Sequence, residues 1–327
     1  RQGADFIEPD LVPTRDGVLI ARHENELSGT TDVADRPEFA DRRTTKRIDG
    51  ERVTGWFSED FTLAEIKTLR ARERIPSVRP ANAAYDGRFE VPTLVEILEL
   101  LRRERREGRE VGLYPETKHP TYFAREGRHI DGTPIALSLG QRLVDTLVAE
   151  GFTDPGRVHI QSFELENLLE LRREIMPRAG VDVPLVQLFG RLDGDAPYDV
   201  IHHAAAGTEP GAIYGDLAAA VEGGLDAGTR YRALATPAAL AWMRTQYAHG
   251  IGPSKSDVLA EGASGLIGSA RSAGLRVHVY TLRAEPVFLH RGARDAEDEA
   301  VRLFALGADG VFADQPDIAL AARARFL

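Results

Sequence analysis

Short runs rich in β-branched residues recur along this chain with helical patterns between them, and no other feature constrains its fold as strongly. The runs cover residues 6–12, 111–118, 157–163, 184–189, 250–253, 276–282 and 310–314. Between them apolar residues fall at helical spacing, as at Leu143, Val144, Leu147 and Val148, or at Leu165, Leu168, Leu169 and Leu171. Thr62 with Glu65 and Thr93 with Glu96 have the spacing of capping boxes, which mark helix starts. Strands alternating with helices mean βα units around a parallel sheet. These seven runs, with one more strand expected upstream of Arg1, predict an α/β chain folded as a (β/α)₈ TIM barrel. An open doubly wound sheet is the alternative. It is disfavoured because no Gly-rich phosphate fingerprint follows the first run.

The first run also carries chemistry. In Phe6-Ile7-Glu8-Pro9-Asp10-Leu11-Val12 the two carboxylates alternate with other residues. On one strand they would point to the same face. Paired acids on an apolar strand repel each other and lose hydration unless a positive charge sits between them, and a divalent cation would supply one. A second β-rich run, residues 18–24, follows after Thr14-Arg15-Asp16-Gly17. That connector is too short for a helical crossover, so the run must fold back as a hairpin and return His23 to the level of the carboxylates. Glu116-Thr117-Lys118 repeats the alternation at the C-terminal end of its run, where barrels keep their active sites. Glu116 would complete an oxygen-ligand set for Ca²⁺ or Mg²⁺. Lys118 would make a cationic pocket suited to an anionic substrate. A plain buried ion pair between Glu116 and Lys118 is the competing reading.

Composition removes several function classes. Formal charge is −10, which argues against nucleic acid as the main partner. No apolar run is long enough to cross a bilayer, so stable membrane insertion is not expected. Cysteine is absent, which excludes thiol nucleophiles and thiolate metal sites and leaves the redox compartment open. Residues 1–5 read like the end of a helix with Gly3 as its C-cap. We therefore expect further residues upstream, any targeting segment included.

Two stretches break the βα rhythm. Residues 24–90 are charged and turn-rich, and we expect an inserted lid or substrate-recognition subdomain there, within a single barrel domain spanning 1–327. Residues 190–229, rich in Ala, Gly and Asp, are expected to cap the same end of the barrel. Ser162 lacks the surroundings of a nucleophile elbow and is expected to serve hydrogen bonding. His159 and His278 alternate with apolar residues and read as core histidines. Tyr280 shares a strand face with His278 and could line a pocket. Asp314-Gln315-Pro316-Asp317 reads as a strand end followed by a helix opening at Pro316.

Taken in order, these segments resemble the glycerophosphodiester phosphodiesterase family, and most closely its bacterial secreted or periplasmic branch. The resemblance runs through Gly3-Ala4-Asp5-Phe6-Ile7-Glu8-Pro9-Asp10, Thr14-Arg15-Asp16-Gly17, Ala21-Arg22-His23-Glu24 and Thr31-Asp32-Val33-Ala34. It continues through residues 61–66, Leu113-Tyr114-Pro115-Glu116-Thr117-Lys118, Gln161-Ser162-Phe163, residues 277–282 and residues 310–317. The ordered set, from one end of the chain to the other, carries the resemblance more than any single motif.

The resemblance implies a TIM-barrel hydrolase that splits glycerophosphodiesters, such as glycerophosphocholine, into sn-glycerol 3-phosphate and an alcohol. Glu8, Asp10 and Glu116 fall on its metal-binding carboxylates, with one Ca²⁺ or Mg²⁺ as the expected cofactor. His23 falls on one of two catalytic histidines and Lys118 on a phosphate-contacting lysine. Tyr280 falls near the glycerol pocket, where Phe163 and Gln187 are also expected to bind substrate. The 24–90 insertion resembles a glycerol-recognition subdomain. The family's opening strand, with His-Arg and a following Pro-Glu-x-Thr, has no counterpart in this sequence and is expected upstream of Arg1. A secreted or periplasmic location is expected, with a cytoplasmic one left open, and the oligomeric state is not legible. Cleavage of a lipid phosphodiester in the manner of phospholipase D, or a barrel that binds glycerophosphodiesters without turnover, are the alternative functions.

Overall fold

Pro9 makes the first departure from expectation. In the computed structural model, which describes residues 2–260 and 265–326, the opening run is two strands, Phe6–Ile7 and Asp10–Pro13. Glu8 lies in the gap between them instead of sharing a strand with Asp10. Proline has no N–H to give to a ladder, so a strand is readily interrupted where it falls. Gly3 has φ +92, as a C-cap would, but residues 2–4 are irregular. Arg1 lies outside the described residues.

The chain divides into two compact units, Pro9–Asp154 and the combination of Arg1–Glu8 with Pro155–Leu327. In the Pro9–Asp154 unit, Asp10–Pro13 pairs antiparallel with Leu19–Ala21, with Val12 opposite Ile20, so the short connector does fold back as a hairpin. Thr14 Oγ1 donates to Asp16 Oδ1 and accepts from Val18 N, while Gly17 takes φ +76, a left-handed conformation that glycine adopts without steric cost. Leu11, Val12 and Ile20 are fully buried. On its other side Asp10–Pro13 pairs in parallel with Glu116–Thr117, with Asp10 opposite Glu116. Lys118 stands just past that strand's end, although its N–H still reaches Leu11 O at 3.2 Å.

The 24–90 stretch belongs to the same unit and is ordered by local rules. Thr44–Ile48 and Glu51–Gly55 form an antiparallel hairpin whose two-residue turn is Asp49-Gly50. Both turn residues have positive φ, +46 and +84, the combination a primed hairpin turn requires. The Trp56 indole donates to Phe39 O, and Phe39 packs edge-on against Phe61. Both capping boxes are formed, at Thr62/Glu65 and at Thr93/Glu96, each cap contributing about 1 kcal/mol. The Leu94–Arg106 helix buries Leu94, Ile97, Leu98 and Leu101, the i, i+3, i+4, i+7 face of its sequence.

In the second unit five strands lie side by side in parallel: Ile160–Ser162, Leu185–Leu188, Ala248–Gly252, Arg276–Leu282 and Gly310–Ala313. Helices occupy the connections, and the last opens at Pro316. Residues 190–229 hold short helices, including Tyr198–Ala205 and Pro210–Tyr214. They are tied in by Asp199, which accepts from Glu166 N at 2.7 Å and from the Tyr214 hydroxyl at 3.1 Å. Burial pushes the Asp199 carboxyl up to about 6. His159 and His278 pack ring to ring, and burial lowers His159 to about 4, with His278 and His249 adding to the shift. Ser162 is buried and its hydroxyl accepts from Glu164 N. No helix among the described residues is long and apolar enough to cross a membrane.

Candidate active site

Lys118 is the centre of the charged cluster at the ends of the Asp10–Pro13 and Glu116–Thr117 strands. Its Nζ lies 2.8 Å from Glu116 Oε1, 3.1 Å from Asp10 Oδ1 and 3.5 Å from His23 Nε2. The parallel register sets this up, because placing Asp10 opposite Glu116 brings the two carboxylates together and leaves Lys118 next along the chain. Burial by itself would push the Lys118 ammonium's pKa down. The adjacent Glu116 and Asp10 outweigh that and hold it above the usual lysine range.

Glu8, Asp10 and Glu116 each offer one carboxylate oxygen, and the three oxygens lie within 4.8 Å of one another. Glu8 reaches the group although it is not on the Asp10 strand, and its Oε1 accepts from the Gln161 amide at 2.9 Å. The donor set is all oxygen, without imidazole or thiolate, which is the chemistry of a hard divalent cation. Three carboxylates face one ammonium, so the cluster has negative charge left for such an ion. These residues fit a divalent cation.

His23 stands just past the Leu19–Ala21 strand with its side chain 55% exposed. The chain folds back as the connector's length led us to expect, and the hairpin brings His23 to Lys118. Its other ring nitrogen, Nδ1, is 2.6 Å from Glu24 Oε1. Arg74 Nη1, far along the insertion, lies 3.1 Å from that same oxygen. Burial would raise the Glu24 carboxyl, but His23, Arg74 and Lys118 together bring it down to about 2. Arg22, the preceding residue, is lowered to about 10 by burial, against the pull of Glu24. The next residue after Lys118 is also anchored: His119, at φ +52, shares a 2.6 Å hydrogen bond with Asp49 at the tip of the insertion's hairpin.

Phe163, Gln187 and Tyr280 form a second group, inside the other unit. The Phe163 ring meets Tyr280 and Tyr231 edge to face, at 5.9 and 6.3 Å. The Tyr280 hydroxyl donates to Phe189 O and the Tyr231 hydroxyl to Phe163 O. Gln187 is fully buried. Its amide donates to Phe163 O and Leu188 O and accepts from the Tyr247 hydroxyl, so its polar atoms are engaged within the unit. Its position is that of a support beneath Phe163.

Sequence reasoning missed Glu24, Arg74, Asp49 and His119. Glu24 was visible as the neighbour of His23. Nothing local marks Arg74 or Asp49, whose partners lie 50 and 70 positions away.

Known proteins resemble this chain over most of its length. The model of the Glycerophosphoryl diester phosphodiesterase family matches residues 1–318. A glycerophosphodiester phosphodiesterase from Arabidopsis thaliana is 31% identical over 323 residues, covering 96% of this chain and 76% of the relative. One from Treponema pallidum is 26% identical over 336 residues, covering 97% and 83%. Among solved structures, a glycerophosphoryl diester phosphodiesterase from Parabacteroides distasonis has a TM-score of 0.51 at 11% identity, covering 98% of this chain and 75% of that one. A structure from Silicibacter pomeroyi, described as the same class, has a TM-score of 0.55 at 19% identity, covering 97% and 82%. These neighbours are TIM barrels, and the chain shares that fold class, as the alternation of strands and helices led us to expect.

Proposed function

The chain belongs to the glycerophosphoryl diester phosphodiesterase family and is a hydrolase of that class; from that premise we propose that it cleaves glycerophosphodiesters such as glycerophosphocholine, with a divalent cation, to sn-glycerol 3-phosphate and an alcohol. The observation that carries this reading is Lys118, set among Asp10, Glu116 and His23 within 3.5 Å. One side of the cluster is suited to a cation and the other to a proton transfer, with an ammonium between them.

Glu8, Asp10 and Glu116 would hold the cation. A bound Ca²⁺ or Mg²⁺ would polarise a phosphate oxygen and offset the charge that develops in the transition state. Lys118 keeps a positive charge fixed beside the phosphate and requires no reorganisation as the reaction proceeds. His23 exchanges a proton at Nε2 with the reacting oxygens, and its half-exposed position leaves that nitrogen within reach of a bound diester. Within the other unit Phe163 and Tyr280 pack edge to face and the Gln187 amide donates to the Phe163 carbonyl, and substrate binding by these three residues is part of the same reading. The reading includes a secreted or periplasmic location.

The test is hydrolysis of glycerophosphocholine, read as released sn-glycerol 3-phosphate. His23→Ala is expected to lower kcat by at least about 10²-fold with little change in Tm, because the side chain is half exposed. Near-normal turnover in that variant would refute the assignment. Treatment with a chelator is expected to abolish activity, and Ca²⁺ or Mg²⁺ to restore it.

A further inference from the structure

His23 is held from both sides by groups of fixed hydrogen-bonding character. Lysine's ammonium only donates, so the 3.5 Å approach of Lys118 Nζ to Nε2 is a hydrogen bond only when that nitrogen carries a lone pair. An ionised carboxylate only accepts, so Glu24 Oε1 at 2.6 Å from Nδ1 requires a proton on that one. Both contacts select the same neutral tautomer, with hydrogen on Nδ1 and Nε2 bare. Nε2 is the nitrogen that faces the cluster of Lys118, Asp10 and Glu116, so the selected tautomer presents its basic atom on the reactive side.

We propose that Glu24 is a positioning residue: it sets the tautomer and ring orientation of His23, and Arg74 of the insertion fixes where Glu24 stands. The proposal rests on the reading of His23 as the proton carrier and goes beyond it. Arg74 Nη1 is 3.1 Å from Oε1 and 3.5 Å from Oε2 of Glu24, so this one nitrogen reaches both oxygens while His23 takes Oε1 alone. This gives the insertion a direct line to the acid–base group through one carboxylate. A glutamine at position 24 would have nearly the same shape but could turn its NH₂ toward Nδ1. The ring would then carry hydrogen on Nε2, the tautomer that cannot accept a proton on the reactive side.

The experiment pairs kinetics with nitrogen spectroscopy on the full chain. In mildly alkaline buffer, ¹⁵N NMR of imidazole-labelled protein, assigned by the loss of one signal in His23→Ala, is expected to show His23 protonated at Nδ1 and bare at Nε2. Glu24→Gln is expected to move that signal toward the opposite tautomer. It should lower kcat for glycerophosphocholine by about 10²-fold while KM stays within about 3-fold, the mark of a group that serves the proton transfer and not binding. Glu24→Asp, which retains the charge on a shorter arm, is expected to recover part of the lost kcat. A wild-type ring protonated at Nε2 would overturn the proposal. So would a Glu24→Gln variant with an unchanged tautomer, or with kcat within twofold of the wild type. If the wild type does not hydrolyse the diester, the substrate assignment fails, and the nitrogen spectra still decide the role of Glu24.

Discussion

Lys46 and Lys118 of the Pro9–Asp154 unit each face a pair of carboxylates at 3.1 Å or less, and they are built to opposite ends. Lys46 lies 2.9 Å from Glu59 and 2.7 Å from Asp60, and both acids have fully buried side chains. Other donors inside the protein also reach them. Glu59 accepts from the Asn25 amide and the Tyr122 hydroxyl, and Asp60 accepts from Ile130 N. Burial and the nearby Glu59 push Tyr122 well above its ordinary range, so it stays a donor. Lys118 has similar distances to its two acids, but the Asp10 side chain remains 18% exposed and a third carboxylate, Glu8, joins the set. A lysine between two acids is therefore not diagnostic of a site. What separates the two clusters is whether water reaches the acids and whether a third carboxylate leaves the group with net negative charge.

The largest expected effect tests the sealed cluster. Lys46→Met leaves two buried carboxylates without their cation and is expected to cost about 3–5 kcal/mol in denaturant unfolding, comparable to breaking other buried pairs. Divalent cations should not restore that loss. Lys118→Met is expected to lose turnover while costing less stability, about 1–3 kcal/mol. Millimolar Ca²⁺ or Mg²⁺ should raise its Tm, as it should the wild type's, because an ion that binds only the folded state stabilises it by mass action. Equal responses of the two variants to the cation would break the distinction between sealed and open clusters.

A smaller effect comes from a third carboxylate–cation pair in the same unit, this one near the surface. Glu65 closes the capping box with Thr62 and pairs with Arg42, and these contacts, the Arg42 hydrogen bond foremost, lower its pKa to about 2. A carboxyl depressed in the folded state adds stability above its unfolded pKa, about 4.3 for glutamate, and loses that contribution as pH falls toward 2. Glu65→Gln should therefore lower Tm at neutral pH by an amount equivalent to about 1 kcal/mol and flatten the wild type's decline through that acid window. A mutant whose acid profile parallels the wild type's would show that Glu65 contributes nothing by its charge.

The parts of the fold legible in the sequence were those governed by local rules. Strand and helix periodicity, both capping boxes, the hairpin forced by Thr14-Arg15-Asp16-Gly17 and the helix at Pro316 all depend on residues a few positions apart. Within the candidate site, alternation indicated Glu8, Asp10, Glu116 and Lys118, although Pro9 removes Glu8 from the strand on which that reasoning relied. The illegible parts depend on distant pairing. Neither the approach of Arg74 to Glu24 nor the burial of Lys46 among Glu59, Asp60 and Tyr122 has a signal in local composition, because charged residues in a turn-rich stretch look alike whether they face water or one another. Gln187 shows the same gap: its position on a strand was readable, but Tyr247 and the Phe163 carbonyl as its partners were not.

The Asp49-Gly50 turn has a consequence for anyone reshaping this enzyme. Its aspartate holds His119, which is covalently next to Lys118. Shortening the hairpin by two residues, or exchanging the insertion for one from a relative, removes a fastener from the backbone that carries that ammonium. Grafts that aim to change substrate preference through residues 24–90 should therefore keep the tip of the hairpin together with His119 as one transplanted piece, since moving either without the other alters the platform on which the chemistry stands.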